Sequence, residues 1–127
     1  MFQTKSAVLY ESNEPLQIET LNQEEPKHGE VRIKVSVAGI CASDLHYMVG
    51  DLPMPMPVVL GHEGSGFVES IGPGVIDFKP GDRVICAFIS GCNNCTYCLS
   101  GYINLCTTSL NLGTKQYDGT LRLNNNK

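Results

Sequence analysis

The sequence has no excess of positive charge, no long apolar run and no leader-like beginning. Lysine and arginine number 9 against 13 aspartates and glutamates, for a net charge of −4. A nucleic-acid module would present a basic face to phosphate, so that class of partner is not expected. No apolar run approaches the roughly 20 residues of a bilayer-spanning helix. Met1 to Tyr10 lacks the charged-then-apolar pattern and the small-residue cleavage site of a secretory leader. A cytoplasmic protein without membrane partners is expected. What is present points to a globular chain: 42% of residues are hydrophobic and 17% charged. With 127 residues the chain has room for one modest core and not for a second large domain. Six cysteines in a reducing compartment read as metal ligands or free thiols before disulfides.

Most of the chain alternates with a period of two. Val31, Ile33, Val35 and Val37 interleave with Arg32, Lys34 and Ser36, which predicts a strand with one apolar face. Ala7 to Tyr10, Leu16 to Leu21, Gly66 to Ile71 and Arg83 to Ala87 are further strand candidates. They are separated by turn signals such as Gly72-Pro73-Gly74 and Lys79-Pro80-Gly81-Asp82. Short strands at this spacing predict a small β-barrel or sandwich. Ser43 to Val49 reads as a short helix with Ser43 or Asp44 at its start. Pro53, Pro55 and Pro57 impose a stiff extended loop. A polar tail, Asn124 to Lys127, is expected to fray.

Residues 91–111 carry few strand signals and four cysteines, in a C-x2-C-x2-C-x7-C array: Cys92, Cys95, Cys98 and Cys106. Four thiolates satisfy the tetrahedral preference of zinc and leave no position open for chemistry, so the reading is a structural zinc that fixes a lobe without an apolar core. An iron–sulfur cluster competes, but the ferredoxin run ends in x3-C-P, whereas here the gap is seven and Thr107 follows. Disulfides and unliganded thiols compete as well. Cys86, in the last strand candidate, reads as a small buried apolar residue.

A second constellation comprises Cys41, Ser43, Asp44 and His46, followed after the proline loop by His62 and Glu63. Cysteine, histidine and carboxylate from separated segments suit an open zinc site that leaves a position for substrate. Asp44 is a candidate partner for the second ring nitrogen of His62. Ser43 and His46 are candidates to pass a proton to solvent. Each also has a plainer reading: Cys41 as core, His46 as surface, Glu63 in a salt bridge, Asp44 as an N-cap.

These residues resemble the zinc-dependent medium-chain alcohol dehydrogenases. The resemblance runs through Gly39-Ile40-Cys41-Ala42-Ser43-Asp44-Leu45-His46, Gly61-His62-Glu63-Gly64-Ser65-Gly66, Lys79-Pro80-Gly81-Asp82-Arg83-Val84 and the cysteine array. It covers nearly the whole chain, 1–127, and implies a mainly β, GroES-like β-barrel with a zinc-organised loop lobe. The implied catalytic zinc ligands are Cys41 and His62, with Glu63 as a ligand in polyol-type members. Ser43 is implied as the proton relay, His46 as its outer member, and the four lobe cysteines as structural zinc ligands. The implied activity is oxidation of a small-molecule alcohol to an aldehyde or ketone, with hydride passing to NAD(P) and two zinc ions per complete subunit.

Departures from the family pattern set further expectations. No G-x-G-x-x-G is present, since Glu69 takes the third glycine position after Gly64 and Gly66, so no Rossmann domain is expected within these residues. The barrel is expected to be incomplete, with an unpaired edge. The expectation is the N-terminal portion of an NAD(P)-dependent alcohol dehydrogenase, inactive alone, whose parent is a homo-oligomer. A polyol dehydrogenase portion and a stand-alone zinc-binding GroES-like interaction module are the competing readings.

Overall fold

The computed structural model describes residues 2–109 and 121–124. Two compact units divide it: Met1–Cys86 with Leu123–Lys127, and Ala87–Arg122. Strand pairing builds the first unit. Strands β1 (Phe2–Leu9), β2 (Gln17–Gln23), β4 (Val58–Val59) and β7 (Leu123–Asn124) form a sheet in the order β4-β1-β2-β7. Strands β3 (Val31–Ala38), β5 (Gly64–Ile71) and β6 (Arg83–Ile85) form a second sheet in the order β3-β5-β6. These pairings are all antiparallel. Both sheets therefore have open edges among the described residues, as expected for a barrel that does not close within this chain. Helix α1 (Ala42–Val49) lies between β3 and β4 in sequence, and the proline-rich segment follows it.

Strand β1 starts five residues earlier than local alternation predicts. Its first half, Phe2 to Ser6, has no clear period and becomes strand through its ladder with β2, which pairs Phe2 with Gln23 and Ser6 with Glu19. The two-residue strands β4 and β7 have no local signal at all. Asn124, expected to fray, instead pairs with Asn22, and the rest of the polar tail lies outside the described residues.

The single apolar face expected of β3 is not what forms. The β3–β5 ladder shifts register between Arg32 and Ile33 and again between Val35 and Val37, so the alternation is broken twice. Val35 and Val37 end up exposed, while Arg32 is buried. Its guanidinium bonds Glu25 at 2.7 Å and Glu69 at 2.8 Å and stacks 3.5 Å from the Phe2 ring centroid. The apolar core of the unit is small: Val8, Leu9, Leu21, Val58 and Val68. Cys86 is exposed, contrary to the buried reading, because it follows β6 at the open edge of its sheet; its N–H continues the ladder to Gly64 O at 2.8 Å.

Gly66 holds the β3–β5 ladder together by having no side chain. A Cβ there would overlap the Lys34 carbonyl oxygen and lie 2.9 Å from its carbon and 3.0 Å from Val35 Cα, all backbone atoms that have no room to move. Gly66→Ala is expected to destabilise the chain by about 1–3 kcal/mol, the usual range for overpacking. A urea titration followed by circular dichroism checks this; an unchanged midpoint would contradict it.

Candidate metal centres

In the second unit, helix α2 (Thr96–Leu99) and a 3-10 turn (Ile103–Leu105) arrange the four cysteines. Cys95 sits at the helix start in extended geometry and Cys98 lies within it. The helix ends by a Schellman pattern, with Gly101 N–H donating to Cys98 O and Tyr102 N–H to Tyr97 O, and Gly101 takes φ 86. This reversal returns the chain so that Cys106 meets the other three. The four sulfurs lie within 4.8 Å of one another. A tetrahedron with Zn–S distances of about 2.3 Å has edges of about 3.8 Å, so a small contraction would complete it. Backbone N–H groups already point at the sulfurs: Cys92 N and Ser109 N at 3.4 Å from Cys106 Sγ, and Cys95 N at 3.3 Å from Cys92 Sγ. Such donors stabilise thiolates. The donor set and spacing fit zinc in a closed shell.

Hydrogen bonds to sulfur and burial together shift the thiols of the lobe. The Cys92 thiol is pulled down to about 6, chiefly by the backbone N–H of Asn94 and then by the Thr108 side chain. Cys95 is also lowered, first by the Cys98 N–H. Burial pushes Cys98 up to about 11. A zinc ligand must be a thiolate. At about pH 7 Cys92 is therefore already ionised when metal arrives, whereas Cys98 must lose a proton. Calorimetric zinc titrations in buffers of differing ionisation enthalpy should show fewer than four protons released at that pH. The sign follows from the lowered value: the Cys92 contribution to folding is complete above its ordinary value of 9.0 and is lost as pH falls through about 6. Proton release on binding should accordingly rise below that pH. Release of all four at neutral pH would contradict the assignment.

The other cluster lies in the first unit, where β3 runs into α1 and the loop before β5 returns beside it. Cys41, with φ −98 and ψ 154, is the N-cap of α1, which begins at Ala42, one residue before the expected start at Ser43. Asp44 is the third helical residue, not the cap itself, and its Oδ2 accepts the Cys41 N–H at 3.0 Å. Gly50, at φ 82, ends the helix. The hairpin turn between β1 and β2 covers this end, with Asn13 N–H donating to Met48 O at 2.6 Å.

Asp44 is 7% exposed and works in two directions. Its other oxygen, Oδ1, lies 3.5 Å from His62 Nδ1. That leaves Nε2 of His62 facing Ser43 Oγ, also at 3.5 Å. Donor atoms of Cys41, His62 and Glu63 lie within 4.8 Å of one another. The Cys41 thiol is lowered, first by the Ser43 hydroxyl and backbone and then by His62. His62 is raised, first by its hydrogen bond with Cys41, with Asp44 and Glu63 adding favourable charge against burial. The two shifts agree in direction: each group favours the charged form of the other. Sulfur, imidazole and carboxylate converge as three donors, and three protein ligands leave a tetrahedral ion one position for a substrate. His46 stands apart from this group, its exposed ring Nδ1 3.0 Å from Asp51 Oδ2.

A family model described as the alcohol dehydrogenase GroES-like domain matches residues 27–123, a span that contains both donor clusters. The chain belongs to this family. Among curated members, it is 50% identical over 103 residues to the NDMA-dependent alcohol dehydrogenase of Amycolatopsis methanolica, covering 81% of the chain and 28% of that protein. It is 44% identical to alcohol dehydrogenase B of Mycobacterium tuberculosis, covering 94% of the chain and 33% of that protein. Among solved structures, it superposes on benzyl alcohol dehydrogenase of Acinetobacter calcoaceticus with a TM-score of 0.86 at 31% identity, over 97% of the chain and 34% of that protein. An alcohol dehydrogenase zinc-binding domain protein of Burkholderia ambifaria gives 0.88 at 33% identity, over 96% and 33%. This alcohol dehydrogenase family chain therefore spans about a third of the length of its relatives.

Sequence reasoning gave no role to three residues the geometry singles out. Thr108 sits outside the cysteine spacing yet reaches Cys92. Asp51 lies beyond the helix and meets His46. Gly39 lies within the motif that carries the resemblance, and only the close approach of Glu63 marks it out.

Proposed function

We propose that this chain is the zinc-binding, catalytic-domain portion of a zinc- and NAD(P)-dependent alcohol dehydrogenase. Its parent oxidises small-molecule alcohols to aldehydes or ketones, in the cytoplasm and as a homo-oligomer. One observation carries the reading: Cys41, His62 and Glu63 converge, with Asp44 holding the far side of the imidazole. Cys41, His62 and Glu63 would hold a catalytic zinc, and Cys92, Cys95, Cys98 and Cys106 a structural one. When bound, the catalytic ion supplies Lewis acidity that makes an alcohol easier to deprotonate and aligns it for hydride loss. The protein's own groups then manage the proton. Asp44 fixes the tautomer of His62, so that Nε2 is the nitrogen turned toward the site. Ser43, next to Cys41 and 3.5 Å from that nitrogen, is placed to accept an alcohol proton through its hydroxyl. His46, exposed and paired with Asp51, would deliver a proton to solvent. NAD(P) would be bound by residues outside this chain, since no dinucleotide fingerprint lies within it. The chain alone is expected to be inactive as a dehydrogenase.

A polyol dehydrogenase is the second reading, and the carboxylate of Glu63 within the donor group favours it. Zinc counting by native mass spectrometry tests the proposal. Two ions per chain are expected; a single ion, retained after Cys41→Ala, would overturn the catalytic centre as drawn.

A further inference from the structure

We infer that Gly39 is a positioning residue for the Glu63 carboxylate: the side chain it lacks is the space in which that carboxylate lies. The inference rests on the reading of Glu63 as a metal ligand. The β3–β5 ladder pairs Val37 with Ser65 and Ala38 with Gly64, and it runs one step past both strands, where Gly39 N–H donates to Glu63 O at 3.1 Å. Residues directly opposed in an antiparallel ladder send their side chains to the same face, with Cβ atoms about 4.5–5.5 Å apart. Opposite any other residue, the Glu63 side chain would have to stand clear. Opposite glycine it folds over the bare Cα. A Cβ built on Gly39 would overlap Glu63 Oε2 and sit 3.2 Å from Glu63 Cβ and 3.3 Å from Cδ.

Backbone conformation does not demand glycine here, because Gly39 is absent from the glycines with positive φ among the described residues. Gly66 differs in what surrounds it. There, immovable backbone fills the space; at Gly39 the overlapping atom is the far end of a flexible side chain, and Glu63 Cβ at 3.2 Å needs to give only slightly. Alanine at position 39 is therefore accommodated by pushing the carboxylate aside. The fold survives and the donor leaves the group that now spans no more than 4.8 Å. The same ladder step sets Cys41 two residues beyond Gly39 and His62 one residue before Glu63, so the glycine sits at the point where the two ligand-bearing segments are pinned together.

The test uses the full chain with its cysteine lobe first loaded with one equivalent of zinc, then titrated with cobalt(II) at the second centre. Four proteins are compared: the parent chain, Gly39→Ala, Glu63→Ala and the double variant. Gly39→Ala should keep its circular dichroism spectrum and weaken cobalt binding at least about tenfold, in line with losses from disturbing metal-site support. In the Glu63→Ala background, the same change should add nothing, since no carboxylate remains to be displaced. An equal loss in both backgrounds, or none in the parent background, overturns the inference and leaves Glu63 as a ligand. If Glu63→Ala alone leaves cobalt binding unchanged, the ligand reading of Glu63 falls, and the inference with it.

Discussion

Replacing Cys106 with alanine is expected to abolish zinc binding in the cysteine lobe and to unfold residues 91–109 while the two β-sheets persist. Among the described residues of this unit, Cys106 is the one fully buried apolar side chain. Tyr97, Leu99, Tyr102, Ile103 and Leu105 are all exposed, so the hydrophobic effect supplies little. Helix α2, four residues long, is far below the length at which a helix holds by itself. Structural zinc contributes roughly 10–16 kcal/mol in zinc-finger peptides near neutral pH. Among the described residues the lobe buries no other apolar side chain fully. Hydrogen exchange read by mass spectrometry checks the outcome: amides in 91–109 should lose protection in Cys106→Ala, and in the chelator-treated parent, while β1, β2, β3 and β5 keep theirs. Protection that persists without metal would show a lobe held by something other than its ligands.

Asp44→Asn is expected to weaken metal binding at the Cys41–His62–Glu63 centre by about 10–100-fold with little loss of fold. Asparagine keeps an oxygen for the Cys41 N–H and so preserves the start of α1. It removes the negative charge that faces His62 Nδ1. Two changes should follow together. The imidazole pKa, raised in part by Asp44, should fall, and the ring should lose its preference for presenting Nε2. Nuclear magnetic resonance titration of His62 before metal addition reads the first, and cobalt competition reads the second. Asp44→Ala goes further by freeing the Cys41 N–H, at an additional cost of about 1 kcal/mol. A ring pKa unmoved in Asp44→Asn would remove Asp44 from its orienting role.

The four-cysteine cluster was legible in the sequence because it depends on short-range spacing, whereas the meeting of Cys41 with His62 and Glu63, from separated segments, was expected only through the resemblance. Cys92, Cys95 and Cys98 sit so close along the chain that almost any turn brings them together, and the glycines around them permit that turn. Cys41 with Asp44 is legible for a similar reason, as three residues span one helical turn. The order of most strands could be read from their alternation. Three things could not. Register shifts at Arg32 and Val35 depend on how β3 meets β5, and a period-two pattern carries no trace of a bulge. The burial of Arg32 depends on Glu25, Glu69 and Phe2, which are brought together by the fold and not by proximity in sequence. The function of Gly39 depends on the residue opposite it, and a glycine in a motif looks the same whether it serves a turn or a neighbour's side chain.

The extension of the β3–β5 ladder to Gly39 and Glu63 also bears on how this protein tolerates changes of length. The ladder fixes both ends of the segment from 40 to 62, so the centre is indifferent to the path between Asp51 and Pro57, and insertions or deletions there lengthen or shorten a surface loop at small entropic cost. One residue gained or lost between Gly39 and Cys41, or between His62 and Gly64, is a different event. It displaces a ligand from the ladder step that pins the two segments together. Variation in chain length should therefore collect in the proline segment and stop abruptly at the two short stretches that carry the ligands.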